Sequence, residues 1–263
     1  MSVGVALSCD VTDGVGRVTF TRPERSDPID SSFCHELREI VDALAGDPTL
    51  KVVVIRSTGR FFSVGGDVKA LGADRAALRA YVRAATADVG TAMSRLARLP
   101  APVVVEVRGS AAGGALALIA VADVAIASTS ATFYGAFVGI GLSPDLGSTY
   151  FVSRRVGGRQ AANLFVLNQT WTAGEALARG LVSQVAADDE IEAITDSTVA
   201  ELAAGPTAAL AATKRLLWQS WYHSLETQLE HEAASITALA ATDDAWEGLA
   251  AVNARRRPDF HGR

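Results

Sequence analysis

Cysteine is nearly missing from this chain of 263 residues: Cys9 and Cys34 stand alone, with no pairing pattern. That excludes a disulfide scaffold, and because no Cys/His cluster falls at ligand spacing, no metal site is expected. A reduced, cytoplasmic setting follows as the expectation. Positive charge is outnumbered, with 24 Lys and Arg against 29 Asp and Glu. No broad basic surface therefore offers itself to nucleic acid or anionic lipid, and the expected partner is a small molecule. Long apolar runs are missing too: the most apolar stretch, Ala111 to Ala127, contains Asp123 and two glycines and falls short of the ~20 residues of a comfortable membrane span. The opening MSVGVALSCDVTDG has no basic segment ahead of a long apolar core, so no secretory leader is expected.

What is present is apolar bulk, 49% of residues, enough for one large domain or a domain with an appendage. The turn pair Asp13-Gly14 between two short apolar runs predicts a hairpin, ended by Arg22-Pro23. After Ser31 and Ser32, which can cap a helix, Phe33, Leu37, Ile40, Val41 and Leu44 recur at helical spacing until Gly46 and Pro48. Val52–Ile55 and Val103–Val107 are short, β-branched and apolar, the pattern of strands covered on both faces. Between them a helix is predicted over roughly 74–99; beyond them come an apolar helix from about Gly113 and a strand around 124–127. This alternation implies α/β layering. From Gly157 onward helices are expected, broken at Gly205-Pro206 and ending in a basic tail, Arg255 to Arg257.

Two glycine-bearing loops, Phe62–Asp67 and Gly109–Gly114, each follow a buried strand. Glycine lets backbone N–H groups approach a ligand closely, and two such donors make an oxyanion hole; each loop read alone is equally a simple turn. Neither has G-x-G-x-x-G spacing, and no G-x-x-x-x-G-K-[ST] occurs, which argues against a nucleotide cradle. Asp145, in Ser143-Pro144-Asp145-Leu146-Gly147, reads either as a helix N-cap or as an acid/base among apolar neighbours Phe137, Val138, Ile140 and Leu142, which would raise its pKa. Glu106 interrupts the apolar PVVVEV strand, so a structural ion pair or subunit contact is expected there. Tyr134 is expected to be packed or at an interface.

Five segments in order, Thr21-Arg22-Pro23, FFSVGGDVKAL, VRGSAAGGALAL, GIGLSPDLGSTYF and WTAGEALARGLV, resemble the enoyl-CoA hydratase/isomerase (crotonase) superfamily over nearly the whole chain. The resemblance implies a ββα spiral with two sheets over residues 1–200. A C-terminal helical region, 201–263, would form a homotrimer or dimer of trimers. It implies an acyl-CoA thioester substrate, with coenzyme A arriving as part of the substrate and no other cofactor. The oxyanion donors would be the amides of Gly66 and Gly114, and Arg25, Ser26, Val64, Lys69, Phe137, Leu142 and a neighbouring subunit's Arg255 would contact the substrate or its coenzyme. The paired glutamates of the family's hydratases fall at Ala117 and Phe137, neither of which can move a proton. Asp145 matches instead the single aspartate of the isomerase branches. The resemblance therefore implies an isomerase that shuttles a proton through Asp145. An atypical hydratase, a silent acyl-CoA binding subunit and, more remotely, a dehalogenase are the alternatives.

Overall fold

The hairpin sets the first edge of the molecule. The computed structural model describes residues 2–262. Strand β1, Ser2–Val3, pairs antiparallel with β2, Leu7–Thr12, which turns into β3, Val15–Phe20. Asp13 and Gly14 have φ of 54° and 82°, the left-handed backbone that a two-residue hairpin turn requires and that Asp-Gly adopts at low cost. Helix α1, Ser31–Ala45, buries the expected stripe from Phe33 to Leu44. Its N-cap is Asp30, not Ser31 or Ser32: the carboxylate accepts from the Phe33 amide at 3.1 Å and also takes two hydrogen bonds from the buried Arg22 guanidinium, at 2.6 and 3.0 Å. A carboxylate that caps a helix and pairs bidentately with arginine makes stronger bonds than a serine hydroxyl offers.

The chain then runs through β4, Val52–Ser57, α2, Val68–Leu71, α3, Leu78–Leu96, and β5, Val103–Val107. It continues through β6, Ser110–Ala112, α4, Ala115–Val121, β7, Val124–Ser128, β8, Thr132–Tyr134, and, after a 3-10 turn at Phe137–Ile140, α5, Ser148–Phe165. Next come β9, Thr170–Thr172, α6, Ala173–Ala178, β10, Gln184–Ala186, and α7, Ile191–Ala203. Helices α8, Thr207–Gln219, α9, Leu225–Leu239, and α10, Asp243–Ala254, end the chain. The single helix expected over 74–99 is shorter and is preceded by α2, because Asp67 caps a separate turn by accepting from the Lys69 and Ala70 amides, and Gly72 stops it.

Seven strands form the main sheet in the order β1-β2-β3-β4-β5-β7-β10, parallel from β3 onward. Val53, Ile55, Val103 and Val105 face the principal core with α1, α3 and α4; Val52, Val54 and Val104 face a smaller core closed by Ile191 and Val199 of α7. Burial on both faces is why these strands are apolar throughout. A second sheet, β6-β8-β9, carries the other side of the spiral. Strands β6, β9 and β10 have three residues each, too few to show a period, and the sequence reading passes over them. Glu106 accepts from Arg108 Nε at 2.7 Å, and Arg108 reaches Glu192 of α7 at 3.2 Å, so the buried charge holds a structural ion pair, as expected. Tyr134 is packed, its hydroxyl accepting from Asn168 at 2.7 Å.

The two glycine loops leave the ends of β4 and β5 and are stitched together. Ser63 and Ala111 form a parallel bridge; the Phe62 amide donates to Ser110 O and the Ala112 amide to Ser63 O, both at 3.0 Å. The buried Ser63 hydroxyl donates to Asp27 O at 2.6 Å and accepts from the Gly65 amide at 3.1 Å. Gly65 has φ +79°, and a Cβ there would stand 2.6 Å from Ala112 O. Gly65→Ala is therefore expected to lower stability by about 1–3 kcal/mol through the left-handed backbone, with the collision in addition. Gly90→Ala, in α3 with nothing within 4 Å of the new methyl, is expected to raise it by up to ~1 kcal/mol. Urea unfolding of the two variants beside the parent chain checks both signs.

Candidate active site

Beneath the stitched loops lies a cavity of about 310 Å³. The first loop contributes Val64, Gly66 and Asp67, and the second Gly113 and Gly114. Phe137, Ile140, Leu142, Asp145 and Leu146 come from the segment between β8 and α5. Cys34 of α1 and one face of α3, from Tyr81 and Val82 through Ala85 and Thr86 to Val89, close the far side. The wall is largely apolar, with Tyr81, Thr86 and Ser143 as its neutral polar groups and Asp67 and Asp145 as its carboxylates, so it selects by shape more than by directional bonds.

Gly66 and Gly114 arrive on the same cavity because the loop bridge fixes one against the other. Among the described residues neither amide is taken up by a protein acceptor. Two unoccupied backbone donors on one apolar cavity are what an oxyanion needs, because a low-dielectric wall strengthens their field.

The two carboxylates differ in surroundings. Asp67 caps α2 and pairs with Arg25 at 2.5 Å, so its charge is neutralised in place. Asp145 caps no helix: α5 begins at Ser148 with Gly147 at its N-cap, which removes the capping alternative. Burial pushes the Asp145 carboxyl from 3.8 up to about 6, its own backbone amide offsetting only part of the desolvation. Of the apolar neighbours expected around it, Phe137, Ile140 and Leu142 line the cavity, whereas Val138 does not and is 43% exposed. Cys34 is its thiol neighbour. Burial, and after it the Asp145 charge, pushes Cys34 up to about 12, so it stays protonated and is no nucleophile.

Gly66, Gly114, Asp145, Val64, Phe137 and Leu142 are thus brought together. Arg25, Ser26, Lys69 and Arg255 do not line the cavity. Arg25 touches its edge through Asp67; Ser26, at φ 60°, accepts from the Val64 amide at 3.1 Å and so holds the first loop; Lys69 is exposed on α2. Arg255 ends α10 in the left-handed conformation. Ala117 is fully buried in α4. The sequence reading missed Cys34 and the α3 face. Tyr81, Val82, Ala85, Thr86 and Val89 do recur at helical spacing, but they merge with the core stripe that continues through Ala92, Met93 and Leu96. No group of three His, Cys, Asp or Glu among the described residues could hold a metal ion, and no helix among them is long and apolar enough to cross a membrane.

The family model described as enoyl-CoA hydratase/isomerase matches residues 10–263. A trans-2-decenoyl-[acyl-carrier-protein] isomerase of Streptococcus mutans is 34% identical, covering 97% of each chain. A 1,2-epoxyphenylacetyl-CoA isomerase of Escherichia coli is 30% identical over 96% of this chain and 97% of its own. The crystal structure of a Mycobacterium smegmatis enoyl-CoA hydratase superposes with a TM-score of 0.90 at 28% identity, over 97% of this chain and 99% of that one.

The raised Asp145 pKa has a stability consequence that is independent of any reaction. The unfolded chain ionises this carboxyl more readily than the folded one, so stability falls as pH rises from about 4 to about 6. Asp145→Asn removes that loss: it should exceed the parent by up to about 3 kcal/mol near neutral pH, with the gain vanishing below about pH 3. Urea titrations at the two pH values measure it, and a gain that does not change with pH would mean that the carboxylate is not desolvated.

Proposed function

The chain belongs to the enoyl-CoA hydratase/isomerase family and is an acyl-CoA processing enzyme, and we propose that it isomerises an enoyl thioester with Asp145 as the proton shuttle. The observation that carries this reading is the unequal fate of the cavity's two carboxylates: Asp67 is held by Arg25 and the α2 amides, which leaves Asp145 free and with its pKa near 6. The four histidines, His35, His223, His231 and His261, are not among the lining residues.

In this reading the thioester carbonyl accepts hydrogen bonds from the Gly66 and Gly114 amides. Asp145 takes a proton from the α carbon of a 3-enoyl thioester; the electron pair spreads into a dienolate whose oxygen the two amides hold. The same carboxyl then returns the proton to the γ carbon, leaving the 2-enoyl product. Each oxyanion donor contributes roughly 3–4 kcal/mol toward the barrier. A pKa near 6 suits both halves of the shuttle, since the base is ionised at neutral pH and its acid still releases the proton readily. The two relatives are named for different acyl groups, trans-2-decenoyl on acyl carrier protein and 1,2-epoxyphenylacetyl on coenzyme A, and both are named isomerases.

Val64, Phe137 and Leu142 would bracket the thioester and the start of its acyl chain. Arg25, Ser26 and Lys69 lie near the cavity edge, where they would meet the coenzyme, and a neighbouring subunit's Arg255 would complete that contact. Leu225, Leu229, Ile236, Trp246, Leu249 and Val252 are large apolar residues left 54–77% exposed on α9 and α10. That apolar surface supports a trimer or dimer of trimers formed through residues 201–263. Hydration by the family's pair of glutamates lacks both of them here, with Ala117 and Phe137 in their places.

The test is a panel of aliphatic and aromatic 3-enoyl-CoA thioesters in D₂O, followed by NMR and mass spectrometry. Double-bond migration is expected, with deuterium entering the γ carbon only to the extent that the Asp145 carboxyl exchanges with solvent before returning its proton, and migration should fall by ~10²- to 10⁴-fold in Asp145→Asn. In the parent enzyme kcat/KM should rise with pH through an apparent pKa of about 6, because the ionised carboxylate is the base. Exchange undiminished in the variant would remove Asp145 from the mechanism, and water addition would return the hydratase reading.

A further inference from the structure

A second cavity, of about 360 Å³, adjoins the first, and Leu146 lines both. Their other shared wall is α3: residues from Tyr81 to Val89 face the first cavity, and Gly90, Met93 and Ala97 face the second. At 1.5 Å of rise per residue, the nine positions that separate the middles of these two stretches place the cavities end to end, ~14 Å apart along one helix. Tyr150 and Phe151 of α5 and Trp218 of α8 supply an aromatic lining, where Phe151 and Trp218 meet edge to face at 5.5 Å.

The residue between the cavities is held in an unusual backbone. Leu146 has φ 54°, a left-handed conformation uncommon for a branched apolar residue, and Gly147 after it is left-handed as well. The side chain is buried and lies close against Gly114: a Cβ added to that glycine would come within 3.0 and 3.3 Å of the two Leu146 methyl groups. Strain of this kind persists where surrounding packing demands it and marks positions worth a functional question. Leu146 thus stands next in sequence to Asp145, close against Gly114, and on the wall of both cavities.

We propose that the second cavity is a distal acyl pocket for an apolar alkyl or aryl tail, and that Leu146 is the partition that sets the length of chain the enzyme accepts. This inference rests on the reading of the first cavity as the acyl site. Removing the partition joins the two cavities, and each methylene of a longer tail then leaves water for Met93, Ala97, Phe151 and Trp218, while Ser94, Arg98 and Tyr222 supply the polar part of the second lining.

The experiment measures affinity rather than turnover: calorimetric titration with saturated acyl-CoA thioesters from butanoyl to hexadecanoyl. In the parent enzyme affinity should rise about fourfold per methylene and then level off at the length that reaches Leu146. In Leu146→Ala the rise should continue for several further methylenes, and in Leu146→Met, which keeps volume and should fold if the alanine variant does not, it should continue for fewer. Gly90→Leu, whose side chain enters the second cavity from a helical site with open space, should restore the parental levelling point when added to Leu146→Ala. A levelling point that stays put in both Leu146 variants, or a parent profile with no levelling at all, overturns the partition while leaving the acyl site intact. A parent enzyme that binds no acyl-CoA of any length overturns the acyl site and the partition together.

Discussion

The contact that the rest of the molecule depends on is the bridge between the two glycine loops. Ser63 and Ala111 pair as short parallel strands, and Gly65 lies so close to Ala112 O that no side chain fits between them. The bridge ties the end of β4 to the end of β5 and β6, and it leaves the next residues along, Gly66 and Gly114, on one cavity. The parallel sheet makes this possible, since neighbouring parallel strands end on the same side and deliver their loops there together. The turn around Arg22, Asp27 and Asp30 locks the arrangement from the other flank, where the Arg22–Asp30 pair and the Ser63 hydroxyl bond to Asp27 O hold the first loop in place.

Around that frame, three aspartates show how surroundings assign a carboxylate its role. Asp30 caps α1 and pairs with buried Arg22, which holds its carboxyl below the usual carboxylate range despite burial. Asp67 caps α2 and pairs with Arg25. Asp145 pairs with no cation among the described residues, and burial raises its pKa to about 6. Desolvation and charge pairing, not residue type, thus set these carboxylates apart.

A second buried network steadies α4 from behind. Arg155 of α5 donates to Ala120 O and Ala122 O at 2.9 and 2.6 Å, at the end of the helix, and Lys214 pairs with Asp123 at 2.8 Å while donating to Ala101 O. Helices α5 and α8 thereby attach to the helix whose first turn carries Gly114. Helix α8 is joined to the part of the chain that holds the cavity through paired polar groups as well as through apolar packing.

The hairpin, α1, the buried strands β4, β5 and β7 and the α/β order were legible in the sequence, because turn pairs and hydrophobic periods are local and each is stated within about ten residues. The two glycine loops were legible as a candidate site because each follows a buried strand, whereas Gly66, Gly114 and Asp145 were picked out individually by the resemblance to the crotonase superfamily. Three-residue strands, the Asp30 cap and the split before α3 were not legible, because each is decided by a partner far away in the chain. Only the tertiary structure settled whether Asp145 capped a helix or faced a cavity, and which carboxylate was neutralised by Arg25. It alone placed Leu146 between two chambers. The physical reason is the same each time: a side chain's type fixes what it can do, and desolvation and charge pairing, which depend on residues brought together by folding, fix what it does.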